Sequence, residues 1–127
     1  MNGQWLGTYT GAANGRIVVN IDDHSSHFQG MAYLHSMSPE LPSVAAGFHT
    51  ANKDRDFTFQ TDWIHPIDPH TGLTVLWDTI KDRYPSNIRV SAHAIVNGFW
   101  NEEALTLSWT TEFGTTANCV LPRSKAG

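Results

Sequence analysis

The feature that most constrains this chain is a series of short segments in which apolar and polar residues alternate, each closed by turn-forming residues. A period of two places alternate side chains on opposite faces of a strand and is incompatible with an amphipathic helix. In GQWLGTYTG, Trp5, Gly7 and Tyr9 share one face, and Leu6, Thr8 and Thr10 the other. Asn14-Gly15 follows, a strong hairpin signal because both residues tolerate positive φ. The second strand, Arg16 to Asp22, aligns Ile17, Val19 and Ile21. The third, His27 to His35, sets Phe28, Gly30, Ala32 and Leu34 against Met31, Tyr33 and His35. Pro39 and Pro42 then interrupt the sheet, since proline cannot donate to a ladder.

A fourth strand fits Val44 to Thr50, and a fifth carries Phe57, Phe59, Thr61 and Trp63 on one side. After the loop HPIDPHTGL the spacing of Leu76, Ile80 and Tyr84 predicts one helix, capped by Thr74 and stopped by Pro85. The sixth strand is expected over Asn87 to Val96, followed by a loop, NGFWNEE, that carries Phe99 and Trp100. The seventh holds Leu105, Leu107 and Trp109, and the last runs from Thr115 to Arg123 with Ala117, Cys119 and Leu121 on its apolar face. Eight strands and one helix predict an all-β fold, an eight-stranded antiparallel up-and-down barrel with one inserted helix. A two-sheet sandwich is the alternative. Residues 1–123 form one domain in this reading, and 124–127 begin a linker or tail.

Composition narrows the function classes. A chain of 127 residues fits a single domain, and 40 % hydrophobic with 16 % charged residues suits neither a disordered tail nor a coiled coil. The net charge is −4 and the eight basic residues are scattered, which argues against nucleic-acid backbone as a partner. The lone Cys119 permits no intramolecular disulfide and fits a reducing compartment. No apolar run approaches the roughly 20 residues of a membrane-spanning helix, so a cytoplasmic domain without a membrane partner is expected.

No nucleophile elbow, phosphate-binding loop, dinucleotide fingerprint or HExxH is present. Seven histidines raise the question of a metal, with His24 and His27 in one turn and His65, Asp68 and His70 in one loop. Turn and loop positions account for both groups, and neither a metal nor another cofactor is expected. Arg89 and His93, with Ser91 between them, are the polar set of the expected sixth strand. Facing inward they would offer a cation, a hydroxyl and an imidazole to an anionic planar ligand. The apolar set Ile88, Val90, Ala92, Ala94 and Val96 argues that they face outward. Tyr33 poses the same question. Phe99 and Trp100, an apolar pair in a loop, suit a lid or a partner contact.

Gly3-Gln4-Trp5 resembles the G-x-W signature that opens the first strand of calycin barrels, which include lipocalins and avidins. The resemblance implies that Trp5 closes the barrel floor and that Arg123 packs across it. The run Trp5-Leu6-Gly7-Thr8-Tyr9 with its glycine hairpin is similar to the opening of the barrel that senses cyclic nucleotides in some bacterial anti-phage effectors. The chain also resembles the domain that precedes FRG domains in bacterial proteins, through Leu105-Thr106-Leu107-Ser108-Trp109-Thr110-Thr111, Gly114 and the ending Leu121-Pro122-Arg123-Ser124-Lys125-Ala126-Gly127. These resemblances imply a non-enzymatic sensor that binds a nucleotide-derived ligand and couples it to a C-terminal effector domain in anti-phage defence. The residues singled out for ligand contact are Arg89, His93, Tyr33, Trp63, Phe99 and Trp100, under the loops around Trp63 to Thr74 and Phe99-Trp100. A filled barrel serving protein interaction or oligomerisation is the rival expectation.

Overall fold

A computed structural model describes residues 1–123, and the linker expected at 124–127 lies outside the described residues. The described chain forms β1 (Gly3–Gly11), β2 (Gly15–Asp23), β3 (Phe28–Ser36), β4 (Val44–His49), β5 (Asp56–Gln60), β6 (Trp63–Pro66), α1 (Trp77–Ile80), β7 (Ala94–Trp100), β8 (Ala104–Thr111) and β9 (Thr116–Pro122). All nine strands belong to one sheet, in the order β5-β7-β8-β9-β1-β2-β3-β4-β6. Every pairing is antiparallel, and the first and last strands meet at Tyr9↔Cys119. The all-β, up-and-down arrangement agrees with the alternation in the sequence.

The two outermost strands of this order, β5 and β6, are joined by only Thr61 and Asp62. The Thr61 N–H donates to the Ala94 carbonyl at 2.9 Å, and the Asp62 N–H donates to the Gly47 carbonyl at 2.8 Å. One bent segment therefore pairs with β7 through its first half and with β4 through its second. The sheet curls until its edges meet in that segment.

Nine strands replace the expected eight because this segment breaks at the bend. Side-chain alternation slips there: Thr61 and Ile64 both face inward although they are three residues apart. Trp63 is thereby turned outward, against the expectation that it shares the face of Phe57 and Phe59. Its indole lies on Gly47, where a Cβ would stand 2.3 Å from Nε1, so only glycine fits beneath it.

Three further expectations are corrected. The sixth strand starts at Ala94, not Asn87. Residues 87–93 have no ladder partner; Ile88 turns back on Pro85, and the Ala92 N–H donates to the Glu112 carboxylate. The helix shrinks to Trp77–Ile80 with a 3-10 turn over Lys81–Arg83. Thr74 cannot cap it, because Thr74 bridges Ile67 and keeps the backbone extended to Leu76, the actual N-cap. Phe99 and Trp100 are the end of β7 rather than a loop. Gly98 keeps that strand continuous, with Phe57 packed where a Cβ would lie 2.2 Å from its Cζ.

One end of the curl is closed by aromatic side chains. Trp5 is 1 % exposed, and its Nε1 donates to the Met1 carbonyl at 3.0 Å. The Arg123 guanidinium lies 5.9 Å from the Trp5 ring centre, and the two residues pair in an isolated bridge. Phe28 meets Trp100 edge to face at 5.9 Å, and Arg55 covers Trp100 at 4.6 Å. Replacing Trp5 with alanine is expected to cost about 3–5 kcal/mol, as for other large buried aromatics. Urea denaturation checks this, and a loss below about 1 kcal/mol would mean that Trp5 does not support the floor.

A candidate binding cavity inside the curled sheet

The inward side chains do not fill the curl. A cavity of about 550 Å³ runs from the floor near Met1 and Leu105 to the opposite end. Its origin is compositional. The positions that point inward include Ala32 on β3, Ala46 on β4, Ala94 on β7 and Ala117 on β9, all of which line the void. Eight-stranded barrels with larger inward side chains fill themselves; small ones leave room for a ligand.

The walls are apolar and rich in rings. Phe48 and Phe59 stack at 4.9 Å with planes 17° apart, and Phe57 continues the stack beyond Phe59 at 5.8 Å and 15°. Tyr9 and Trp109 form a second aromatic pair at 5.9 Å, tilted by 55°. All five rings line the cavity, together with aliphatic residues such as Ile17, Val19 and Leu107.

The mouth is framed by Ala12 and Ala13 of the β1–β2 hairpin, Leu41 and Pro42 before β4, and Phe113 of the β8–β9 hairpin. The unpaired segment 87–91 completes it, contributing Ile88, Arg89, Val90 and Ser91 to the lining. Its apolar alternation does not make it a strand, and polar and apolar residues of the segment alike border the void.

Four threonines of the lining are already engaged. The Thr50 hydroxyl accepts from the Phe28 N–H at 2.9 Å and donates to the Asn52 carbonyl at 2.6 Å. The Thr61 hydroxyl accepts from the Ala94 N–H at 3.0 Å, and the hydroxyls of Thr111 and Thr115 bond each other. Tyr9, Asn87, Arg89, Ser91, Trp109 and Thr116 differ: among the described residues their side chains make no hydrogen bond or ion pair. Tyr9 is 5 % exposed, and burial pushes its phenol above the ordinary value. Its hydroxyl stays protonated at neutral pH and keeps solvent contact, since among the described residues no fully buried side-chain oxygen lacks a partner.

Of the residues singled out from the sequence, Arg89 lines the cavity. The other five do not. Tyr33 is on the outer face, its hydroxyl 3.6 Å from the Met31 sulfur. Trp63 is also outside, stacked on His65 at 5.3 Å. His93 lies in an outer cleft beside His49 and Asp62, where His49 Nδ1 and Asp62 Oδ2 are 2.9 Å apart. Phe99 points outward and Trp100 belongs to the floor, so neither covers the mouth. Alternation in the sequence sets Tyr9, Phe57, Phe59 and Trp109 on strand faces without marking a cavity, and it does not single out Phe48. The signal that could have marked one is the combination of large rings at 48, 57, 59 and 109 with alanine at 32, 46 and 117.

Among the described residues no three His, Cys, Asp or Glu converge to hold a metal ion. His24 and His27 stack on each other at 4.8 Å. Asp68 accepts from the His70 backbone N–H and the Arg83 guanidinium, both at 2.9 Å, which hold its carboxyl below the usual range. Comparison with protein-family models, curated proteins and solved structures finds no match.

Two predictions follow from this geometry. Ala32→Leu is expected to cost less than about 1 kcal/mol in chemical denaturation, because the added carbons enter a void, whereas a filled core would lose about 1–3 kcal/mol to overpacking. Cys119 is buried, and desolvation pushes its thiol up to about 12. The unfolded thiol ionises near pH 8.5 while the folded one does not, so stability falls with pH above that point. The expected slope approaches about 1.4 kcal/mol per pH unit between roughly pH 8.5 and 10. Cys119→Ala removes the slope, and an identical slope in that variant would refute the assignment.

Proposed function

We propose that this chain is a non-enzymatic binding module that holds a small, mainly apolar molecule inside its curled sheet. The observation that carries this reading is the cavity of about 550 Å³, lined by aromatic and aliphatic side chains and framed by loops at one end. Ligand sites of roughly 300–1,000 Å³ with a few unengaged polar groups are the common pattern for small-molecule binding.

In its finer form the fold is a calycin-type closed barrel. Segment 56–66 then acts as one bent strand, and Trp5 with Arg123 forms the floor; the contact between those two residues supports that reading. The nucleotide ligand implied by the resemblance suits the aromatic walls less fully at its phosphates, since among the described residues Arg89 is the one basic side chain in the lining. Coupling to an effector domain would act through the mouth loops, and only if ligand favours one loop state over another. The filled interaction module is disfavoured by the void.

The neutral probe N-phenyl-1-naphthylamine tests binding. At 100 times its dissociation constant it is expected to stabilise the protein by about 2.7 kcal/mol, several degrees in melting temperature, with enhanced probe fluorescence. Ala46→Phe should abolish both effects by occupying the cavity. Absence of binding by the unaltered chain would contradict the proposal.

A further inference from the structure

We infer that the cavity selects a flat aromatic acid, its ring against the Phe48–Phe59–Phe57 wall and its anionic group on Arg89. This rests on the binding reading above and adds the chemical class of the ligand. Three observations combine. First, the three phenyl rings lie within 17° of parallel from each to the next, which presents a layered aromatic face. A flat conjugated ring can stack on such a face, whereas a linear chain gains only buried area.

Second, Arg89 stands in the mouth with its guanidinium unpaired among the described residues. Among the described residues no carboxylate forms an ion pair with it, and that of Glu112 accepts the Ala92 N–H. A carboxylate or sulfonate entering the mouth meets a planar donor fork without displacing an internal partner. Third, Tyr9 and Ser91 line the cavity with hydroxyls that have no hydrogen-bond partner among the described residues. Both can bond the acid group or a ring substituent. One cation matches one negative charge, so a single acid group is selected over a polyphosphate.

The test is displacement of N-phenyl-1-naphthylamine from the full chain by three competitors. These are 2-naphthoate, its neutral analogue 2-naphthalenemethanol, and the linear acid decanoate. Calorimetric titration with 2-naphthoate runs alongside. Naphthoate is expected to compete about tenfold to a hundredfold better than the alcohol, the value of a charge-assisted hydrogen bond. It should also compete better than decanoate. Arg89→Gln, at an exposed loop position, is expected to erase the advantage over the alcohol, read as the ratio of naphthoate to alcohol competition within that variant. Tyr9→Phe is expected to weaken naphthoate by severalfold without unfolding the chain.

Equal competition by alcohol and acid, or an unaltered preference in Arg89→Gln, overturns the charged half of the inference. Decanoate competing better than naphthoate overturns the aromatic half. If the neutral probe binds and naphthoate shows no preference, the inference fails alone. If neither probe nor naphthoate binds, the binding reading fails with it.

Discussion

The architecture depends on two residues, Thr61 and Asp62. Thr61 is tied to β7 twice, its N–H donating to the Ala94 carbonyl and its hydroxyl accepting from the Ala94 N–H. The next residue donates to Gly47 of β4. Strand edges expose unpaired backbone groups and invite association with other chains. Here the two outermost strands of the nine-stranded sheet are the two halves of one bent stretch of chain, each with a single partner strand. The bend also sets which side chains look inward, because alternation slips by one residue there. Trp63 leaves the interior and Ile64 enters it.

The interior follows from that curl and from the size of the residues that face it. Trp5, Phe28 and Leu105 fill the closed end almost completely, with at most 1 % exposure each. Toward the mouth, alanines on four strands leave space that the aromatic rings border without filling. A void lined by carbon forfeits dispersion contacts, so the folded state is less stable than a filled barrel of the same strands would be. The chain retains the void while supplying a floor, an aromatic wall and a polar mouth. That combination suits occupancy by a small molecule.

Much of the sheet was legible in the sequence because burial alternates faithfully in the strands that start and end the chain. Ile17, Val19 and Ile21 face inward as their spacing requires, and so do Ala117, Cys119 and Leu121. The Trp5–Arg123 contact was also foreseen, from a three-residue signature. The candidate site was less legible. Period-two alternation over 87–93 reads as a strand, yet only a ladder partner makes one, and pairing partners are not written locally. Phe99 and Trp100 looked like loop residues because Asn97-Gly98 precedes them, but Gly98 serves packing against Phe57 and not a turn. The slip at Asp62 leaves no local mark at all, since it arises from pairing the two halves of one segment with different strands.

The central claim is that an accessible apolar cavity exists inside the sheet. Methyl NMR under a few atmospheres of xenon tests it most directly, because xenon enters dry apolar cavities without any specific chemistry. The account predicts saturable shifts confined to lining methyls such as those of Ile17, Val19, Ala46 and Leu107, with outward methyls such as Val120 unaffected. Shifts that are absent inside, or spread evenly over inner and outer methyls, would contradict it.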